Sequence, residues 1–167
     1  MIEKLILIGV NMRIYLAGSC GSDRRTHMVE IGKALRKIGF EVYCPFELQI
    51  PNAWDMSQEE WATKVFVADI QAIDSSDVVV IISPGRVSTA GTNWEQGYAY
   101  GKNKRVIVFQ YTEETTSLMT YCGCQSFIGL KDDCIKMPTT TAREIAAKVE
   151  EFIRHNKDFN ELRTILT

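Results

Sequence analysis

The sequence predicts an α/β domain in which helices cover both faces of a five-stranded parallel sheet. Apolar runs such as Asp77–Ile82 and Arg105–Gln110 show no alternation of polar and apolar residues, as expected of strands buried on both faces. Segments with apolar residues at the 3.6-residue helical period lie between such runs. Strands that alternate with helices are typical of a doubly wound sheet, and 167 residues are enough for one such domain.

A strand at Arg13–Ala17 and a helix after it begin the predicted fold. Ser22 or Asp23 can cap this helix, because short polar side chains accept hydrogen bonds from the free N–H groups of a first turn. Gly39 ends the helix, since glycine readily adopts the backbone conformation found after a last turn. The apolar residues that give this helix a buried face are Met28, Ile31, Leu35 and Ile38.

The second strand, Phe40–Cys44, precedes a segment with no clear periodicity. This segment, Glu47–Met56, is long enough to arch over a site at the edge of the sheet. Ser57 and Glu60 then form a capping box, in which each residue binds the backbone of the other. We therefore expect the next helix to cover Gln58–Asp74.

The second half of the chain continues the alternation. In Ser83–Gly101, a loop of small and polar residues leads into a helix predicted at Thr92–Tyr100. Arg105–Gln110 is the next strand, Ser126–Ile128 a short last strand, and Thr141–His155 an amphipathic last helix. This order of elements predicts a flavodoxin-like arrangement.

Charge and cysteine content argue against several classes of function. The net charge is −2 and no cluster of lysine and arginine stands out, which argues against nucleic acid or an anionic membrane as partner. The apolar stretch Leu5–Val10 is too short to span a bilayer, and we expect residues 1–11 to be an extension of a domain at 12–167. The five cysteines lack zinc-site spacing, so we expect no metal and free thiols in a reducing cytoplasm.

Two carboxylates stand where chemistry is possible. Glu95 follows Thr92 by three residues, the spacing of a capping box, at a strand–helix junction where α/β proteins bind ligands. Glu95 therefore either caps its helix or attacks a substrate, and in both roles we expect the helix dipole to hold it ionised. Asp69 lies in a helix that is apolar nearly all round, so we expect this helix to be buried. The Asp69 carboxylate should then be buried with it and be either paired or functional.

Three other features have two interpretations each. Gly18–Ser22 is either a plain turn or a backbone cradle for a phosphate or hydroxyl, with Arg24 or Arg25 nearby. It lacks the full dinucleotide fingerprint, which argues against a nicotinamide cofactor. Tyr15 and Trp94 either pack or bind, and Trp94 could stack on a flat base beside Glu95.

Four stretches of the sequence together resemble the nucleoside 2-deoxyribosyltransferase family. They are RIYLAGS at Arg13–Ser19, VFVADI with Asp69, DVVVII at Asp77–Ile82, and AGTNWEQGYAYGK at Ala90–Lys102. The last is close to the family signature G-T-x-x-E-x-G-x-A and is fairly specific. The resemblance covers residues 12–110 in the expected order and extends more loosely to residue 130.

The resemblance implies a role for each candidate. Glu95 would attack the anomeric carbon of a 2′-deoxyriboside, Asp69 would assist protonation of the leaving base, and Tyr15 would orient Glu95. This is a retaining glycosidase scheme that needs no metal or organic cofactor. The substrate-binding residues that we predict are Gly18, Ser19, Thr89, Gly91, Trp94, Ser117 and Met119.

Two departures from the family pattern leave open whether a second base or water takes the sugar. Transferases usually carry Asp where this chain has Thr89, and Asn-Leu-Met where it has Ser117-Leu118-Met119. Hydroxyls at these positions can donate to a 5′-phosphate, as in the related 2′-deoxynucleoside 5′-monophosphate N-hydrolases. The predicted partners are a deoxynucleoside or deoxynucleotide and a free nucleobase. The resemblance also implies a homo-oligomer whose sites are shared between subunits.

A binding module without catalysis is the second hypothesis. Pro84-Gly85 followed by Gly91-Thr92-x-x-Glu95 is similar to the phosphate loops of cytokinin-activating phosphoribohydrolases and their binding-only relatives. A fold of this kind does not establish a function by itself. A sugar adduct trapped on Glu95 separates the two hypotheses, because a binding module forms none.

Overall fold

The computed structural model of the protein describes residues 12–18, 22–85, 90–112, 114–128 and 142–155. The predicted extension at residues 1–11 lies outside these ranges. The strands are β1 (Arg13–Gly18), β2 (Glu41–Tyr43), β3 (Val78–Ser83), β4 (Arg105–Gln110) and β5 (Ser126–Ile128). The helices are α1 (Ser22–Lys37), α2 (Gln58–Ser75), α3 (Ala90–Gly101), α4 (Leu118–Cys122) and α5 (Ala142–His155), with 3-10 turns at Pro45–Glu47 and Ala53–Asp55.

All five strands are parallel and lie in the order β2-β1-β3-β4-β5. The doubly wound, flavodoxin-like fold predicted from the sequence is therefore confirmed. The order reverses between β1 and β3, and in open α/β sheets ligands bind beyond the carboxyl ends of strands at such a reversal. The fold thus points to the carboxyl ends of β1 and β3 as the place to search for a site.

The predicted ends of two helices are also confirmed. Gly39 follows α1 with a φ of +105°, a backbone conformation that residues other than glycine rarely adopt. Oγ of Ser57 accepts a hydrogen bond of 3.1 Å from the backbone N–H of Glu60, which caps α2. Within the described residues, no helix is long and apolar enough to cross a membrane.

The two faces of the sheet have different covers. Alternate residues of β1, β3 and β4 pack on one face against α1 and α5, and the apolar positions predicted for the first helix are buried or partly buried there. On the other face, Tyr15, Ala17, Val79 and Ile81 pack with Ile73 of α2 and Ala99 of α3. The two clusters use opposite sides of the same strands, as the two-residue period of a strand requires.

The prediction that α2 is a buried helix is wrong. Ile73 is its one residue in the buried class, whereas Trp61, Phe66 and Val67 are 45%, 53% and 43% exposed. An apolar helix can also face a cavity or an open surface, and the periodicity of a single helix does not tell these cases from full burial. The short helix α4 was not predicted, since it lies in a segment that is largely polar and includes the exposed side chains of Leu118 and Met119.

Candidate active site

A cavity of about 560 Å³ opens beyond the carboxyl end of β1. The segment after β2 forms an apolar wall, α2 contributes Asp69, and α3 contributes Glu95. Elements that are distant in sequence thus meet at the place that the strand order indicates. The lining residues are Gly18, Arg25, Pro45, Phe46, Leu48, Ile50, Ala53, Trp61, Val65, Asp69, Gly91, Thr92 and Glu95.

Glu95 is held by a tyrosine of the neighbouring strand. The hydroxyl of Tyr15, a fully buried residue of β1, donates a hydrogen bond of 2.8 Å to Oε1 of Glu95. Since α3 begins at Ala90, Glu95 lies in its second turn and Thr92 is inside the helix. The interpretation of Thr92 and Glu95 as a capping box is therefore wrong, because neither residue occupies the position such a box requires.

The surroundings of Glu95 favour its neutral form. The pKa of Glu95 is raised to about 7: burial is the largest cause, the hydrogen bond from Tyr15 opposes it, and the negative charge of Asp69 adds to it. The expectation that the helix dipole holds Glu95 ionised is thus not met, since a dipole acts mainly within the first turn. Near neutral pH, both the neutral and the ionised form of Glu95 are therefore populated.

Asp69 has a tyrosine partner of its own. The hydroxyl of Tyr43, the last residue of β2, donates a hydrogen bond of 2.9 Å to Oδ1 of Asp69. Burial raises the pKa of Asp69, whereas this hydrogen bond lowers it. Asp69 is partly buried, less than we expected, because one side of it lines the cavity.

The two tyrosines form a stacked pair beneath the two carboxylates. Tyr15 and Tyr43 are paired in the parallel register of β1 and β2, and their rings lie 5.5 Å apart with planes inclined by 15°. Burial raises the pKa of both phenols, so both remain protonated donors at neutral pH. Our reading of the sequence missed Tyr43. In the sequence, Tyr43 is a tyrosine near the end of the predicted second strand. Its proximity to Tyr15 depends on the register of β1 and β2, which sequence spacing does not show.

No site for a metal ion occurs within the ranges that the structure describes, since no three His, Cys, Asp or Glu side chains come together. Arg25 is the basic residue of the described cavity lining, and its Nη2 donates a hydrogen bond of 3.0 Å to the backbone oxygen of Phe46. The cavity therefore combines two carboxyl groups, one guanidinium and an apolar wall. Such a set suits an organic ligand with a flat apolar part and polar groups.

Comparison with known proteins identifies the family of this chain. The family model described as nucleoside 2-deoxyribosyltransferase matches residues 14–156. The chain belongs to this family. The match includes Tyr15, Asp69 and Glu95 and extends beyond the resemblance seen in the sequence, which ended near residue 130.

Solved structures agree with this assignment. A 2-deoxyribosyltransferase from Bacillus psychrosaccharolyticus is 31% identical, with a TM-score of 0.63 over 72% of this chain and 88% of that one. The CMP N-glycosidase BcmB of Clostridium botulinum is 19% identical, with a TM-score of 0.55 over 84% of this chain and 98% of that one, and shows the shared fold. A comparison with curated proteins found no match.

The other predicted site residues fall into four groups. Gly18 and Gly91 line the cavity with Glu95, and a Cβ on Gly18 would come within 2.6 Å of Sδ of Met28, so a side chain there would have to displace Met28. Ser19 and Thr89 lie outside the described residues. Trp94 does not line this cavity: it is 48% exposed and stacks on Tyr98 at 5.3 Å.

Ser117 and Met119 line a second cavity on another side of α3. This cavity has a volume of about 470 Å³ and is bounded by α3 and α4. Met119 is 82% exposed, and neither residue lines the cavity of Glu95 in the same protomer.

Proposed function

We propose that this protein cleaves the N-glycosidic bond of 2′-deoxyribonucleosides or their 5′-monophosphates and passes the sugar to a second nucleobase. The observation that carries the proposal is the pair of carboxyl groups in one cavity, each held by a buried or partly buried phenol. Two carboxyl groups are the machinery by which glycosidases replace a bond at an anomeric carbon. Membership of the family and the 31% identical transferase support the same activity.

Glu95 is the nucleophile of the proposed reaction. The hydroxyl of Tyr15 donates a hydrogen bond to Oε1 of Glu95. Among the described residues, Oε2 has no hydrogen-bond partner, so Oε2 is the atom that bonds the anomeric carbon. As the carbon–oxygen bond forms, the carbon–nitrogen bond breaks and its electron pair leaves with the base. Asp69 gives the base a proton in this step and takes one from the incoming base in the second step, which reverses the first.

The raised pKa of Glu95 fits this role. Only the ionised carboxylate attacks, and with a pKa of about 7 roughly half of the molecules carry it at neutral pH. A carboxylate that is poorly solvated is a stronger nucleophile than one surrounded by water. The hydrogen bond from Tyr15 keeps the ionised form accessible in spite of burial.

Hydrolysis of a 5′-monophosphate is the second candidate, and Arg25 favours it. Arg25 lines the cavity, and none of the carboxylates that the structure describes forms an ion pair with it. A guanidinium so placed can bind a phosphate. In this version, the hydroxyl of Thr89 and that of Ser117 from a neighbouring subunit donate hydrogen bonds to the phosphate, and water takes the sugar from Glu95.

We further propose that the enzyme is a homo-oligomer with shared sites. Ser117 and Met119 are exposed and remote from the Glu95 cavity of their own protomer, which supports a role for them in a neighbour's cavity. The exposed aromatic pair of Phe66 and Trp94 supports a contact between subunits, because clustered exposed aromatic residues are typical of interfaces.

The proposal is tested by mixing the protein with deoxynucleosides and their monophosphates, with and without a second free base. Base release that requires the second base indicates transfer, and release without it indicates hydrolysis. Mass spectrometry after mixing with a 2′-fluorinated substrate should show a sugar adduct on Glu95. Tight nucleotide binding with neither turnover nor adduct would replace the proposal with the binding module.

A further inference from the structure

The bond between Tyr43 and Asp69 has a consequence for the proposed reaction. A carboxylic acid can carry its proton on either oxygen, but only one oxygen at a time can be presented to a leaving base. Oδ1 of Asp69 already accepts a hydrogen bond of 2.9 Å from the hydroxyl of Tyr43. An oxygen that accepts such a bond is a poor place for a second proton, since two hydrogens would then compete for one position.

We infer that Tyr43 is a positioning residue for the acid step: by holding Oδ1 of Asp69, its hydroxyl directs the transferable proton to Oδ2. This inference rests on the proposed function and adds a residue to it. Within the described residues, Oδ2 has no hydrogen-bond partner, and Asp69 lines the cavity. Oδ2 is thus the oxygen left for the substrate.

The proton balance of the step follows from this assignment. Asp69 begins protonated on Oδ2 and transfers that proton to a ring nitrogen of the base as the glycosidic bond breaks. The base leaves neutral with the bonding electron pair, and Asp69 becomes a carboxylate whose charge the Tyr43 hydroxyl stabilises. Tyr43 keeps its own proton throughout, since burial raises the pKa of its phenol.

The ring of Tyr43 has a separate, structural role. It stacks on Tyr15 and packs at the edge of the cluster on the α2 and α3 side. Tyr43→Phe keeps this stacking and removes only the hydroxyl. The substitution therefore separates the proposed effect on Asp69 from an effect on packing.

A double-mutant cycle tests the inference. We expect Tyr43→Phe to lower kcat for base release by about tenfold in the wild type, while KM changes little, because general acid catalysis contributes about 10²–10⁴-fold and here only its orientation is lost. In the Asp69→Asn background, the same substitution should change kcat by less than about twofold, since no acid proton remains to be directed.

A matched control is available in Tyr98. Its hydroxyl also donates to an aspartate, Asp74, at 3.0 Å, but neither residue lines the cavity. We expect Tyr98→Phe to leave kcat unchanged in both backgrounds. Equal losses from Tyr43→Phe in both backgrounds would overturn the inference alone, because the effect would then not pass through Asp69. A wild type that releases no base would instead overturn the proposed function, and the inference with it.

Discussion

The side of the sheet covered by α1 and α5 differs from the side covered by α2 and α3, although the same strands supply both. On the first side, α1 and α5 add fully buried aliphatic residues, among them Leu35, Ile145 and Val149. On the second side, Ile73 and Ala99 are the buried apolar residues that α2 and α3 add, and the other buried residues of α3 are polar. The two helix pairs thus cover the sheet to different extents.

In the proposed function, stability and chemistry are therefore separated across this sheet. The first side buries hydrocarbon, which is the main source of folding free energy. The second side holds both carboxyl groups and both tyrosines of the stacked pair, and the two carboxyl groups line the cavity. Side chains on the second side should therefore affect base release more than folding, and those on the first side the reverse.

The largest effect that we expect comes from the second side. Glu95→Gln keeps the size of the side chain but removes the nucleophile, so base release should fall by at least about 10³-fold. The measurement is the initial rate of base release, with circular dichroism to confirm folding. Glu59→Gln, an exposed change on α2, serves as the control and should keep full activity. Activity retained by Glu95→Gln would show that the second side does not hold the chemistry proposed for it.

The same residue predicts how stability depends on pH. The pKa of Glu95 is about 7 in the folded protein, against an ordinary value of 4.5, so the unfolded chain loses this proton at lower pH than the folded one. The contribution of Glu95 to the free energy of unfolding is therefore highest below pH 4.5, falls as the pH rises to 7, and is constant above.

The size of this pH effect is on the order of 2 kcal/mol, because the open cavity partly screens the charge. Urea unfolding of the wild type and Glu95→Gln between pH 4 and 8 measures it. Glu95→Gln should lack this part of the decline and exceed the wild type in stability at pH 8. Parallel curves for the two proteins would show that burial does not destabilise the Glu95 carboxylate.

An effect of similar size on stability, with no effect on activity, is expected on the first side. Val149→Ala removes two methyl groups from a fully buried position of α5 and leaves a cavity, so the free energy of unfolding should fall by about 2 kcal/mol. Urea unfolding at constant pH measures the loss. The kcat of the folded enzyme should not change, because α5 does not line the cavity of Glu95. A large fall in kcat would contradict the separation of the two sides.

Local sequence patterns predicted the fold but only part of the site. The strands Arg105–Gln110 and Ser126–Ile128 have the predicted bounds, because continuous apolar runs and turns act over short stretches of chain. Tyr43 could not be found in this way. The role that we propose for it depends on its pairing with Tyr15, 28 positions earlier, and its bond to Asp69, 26 positions later. Both contacts depend on tertiary structure.

The exposure of α2 could not be predicted for a related reason. Its apolar residues satisfy the pattern of a buried helix, but whether a layer covers them depends on the arrangement of the rest of the fold or on a second subunit. Glu95 shows the same limit in its electrostatics. The helix dipole could be inferred from spacing, whereas the burial that raises the pKa of Glu95 results from packing against β1 and α2.

The smallest effect on stability is expected for Val67→Ala, the counterpart of Val149→Ala on α2. Val67 is partly exposed, and alanine has the higher helix propensity, so the free energy of unfolding of the protomer should change by about 0.5 kcal/mol or less. Urea unfolding at low protein concentration measures this change, and sedimentation velocity measures assembly. If α2 contacts a second subunit, the oligomer formed by the variant should dissociate into protomers at a higher protein concentration than the wild-type oligomer does. A loss near 2 kcal/mol in the protomer itself would mean that α2 is packed as tightly as α5, and the contrast between the two sides would fail.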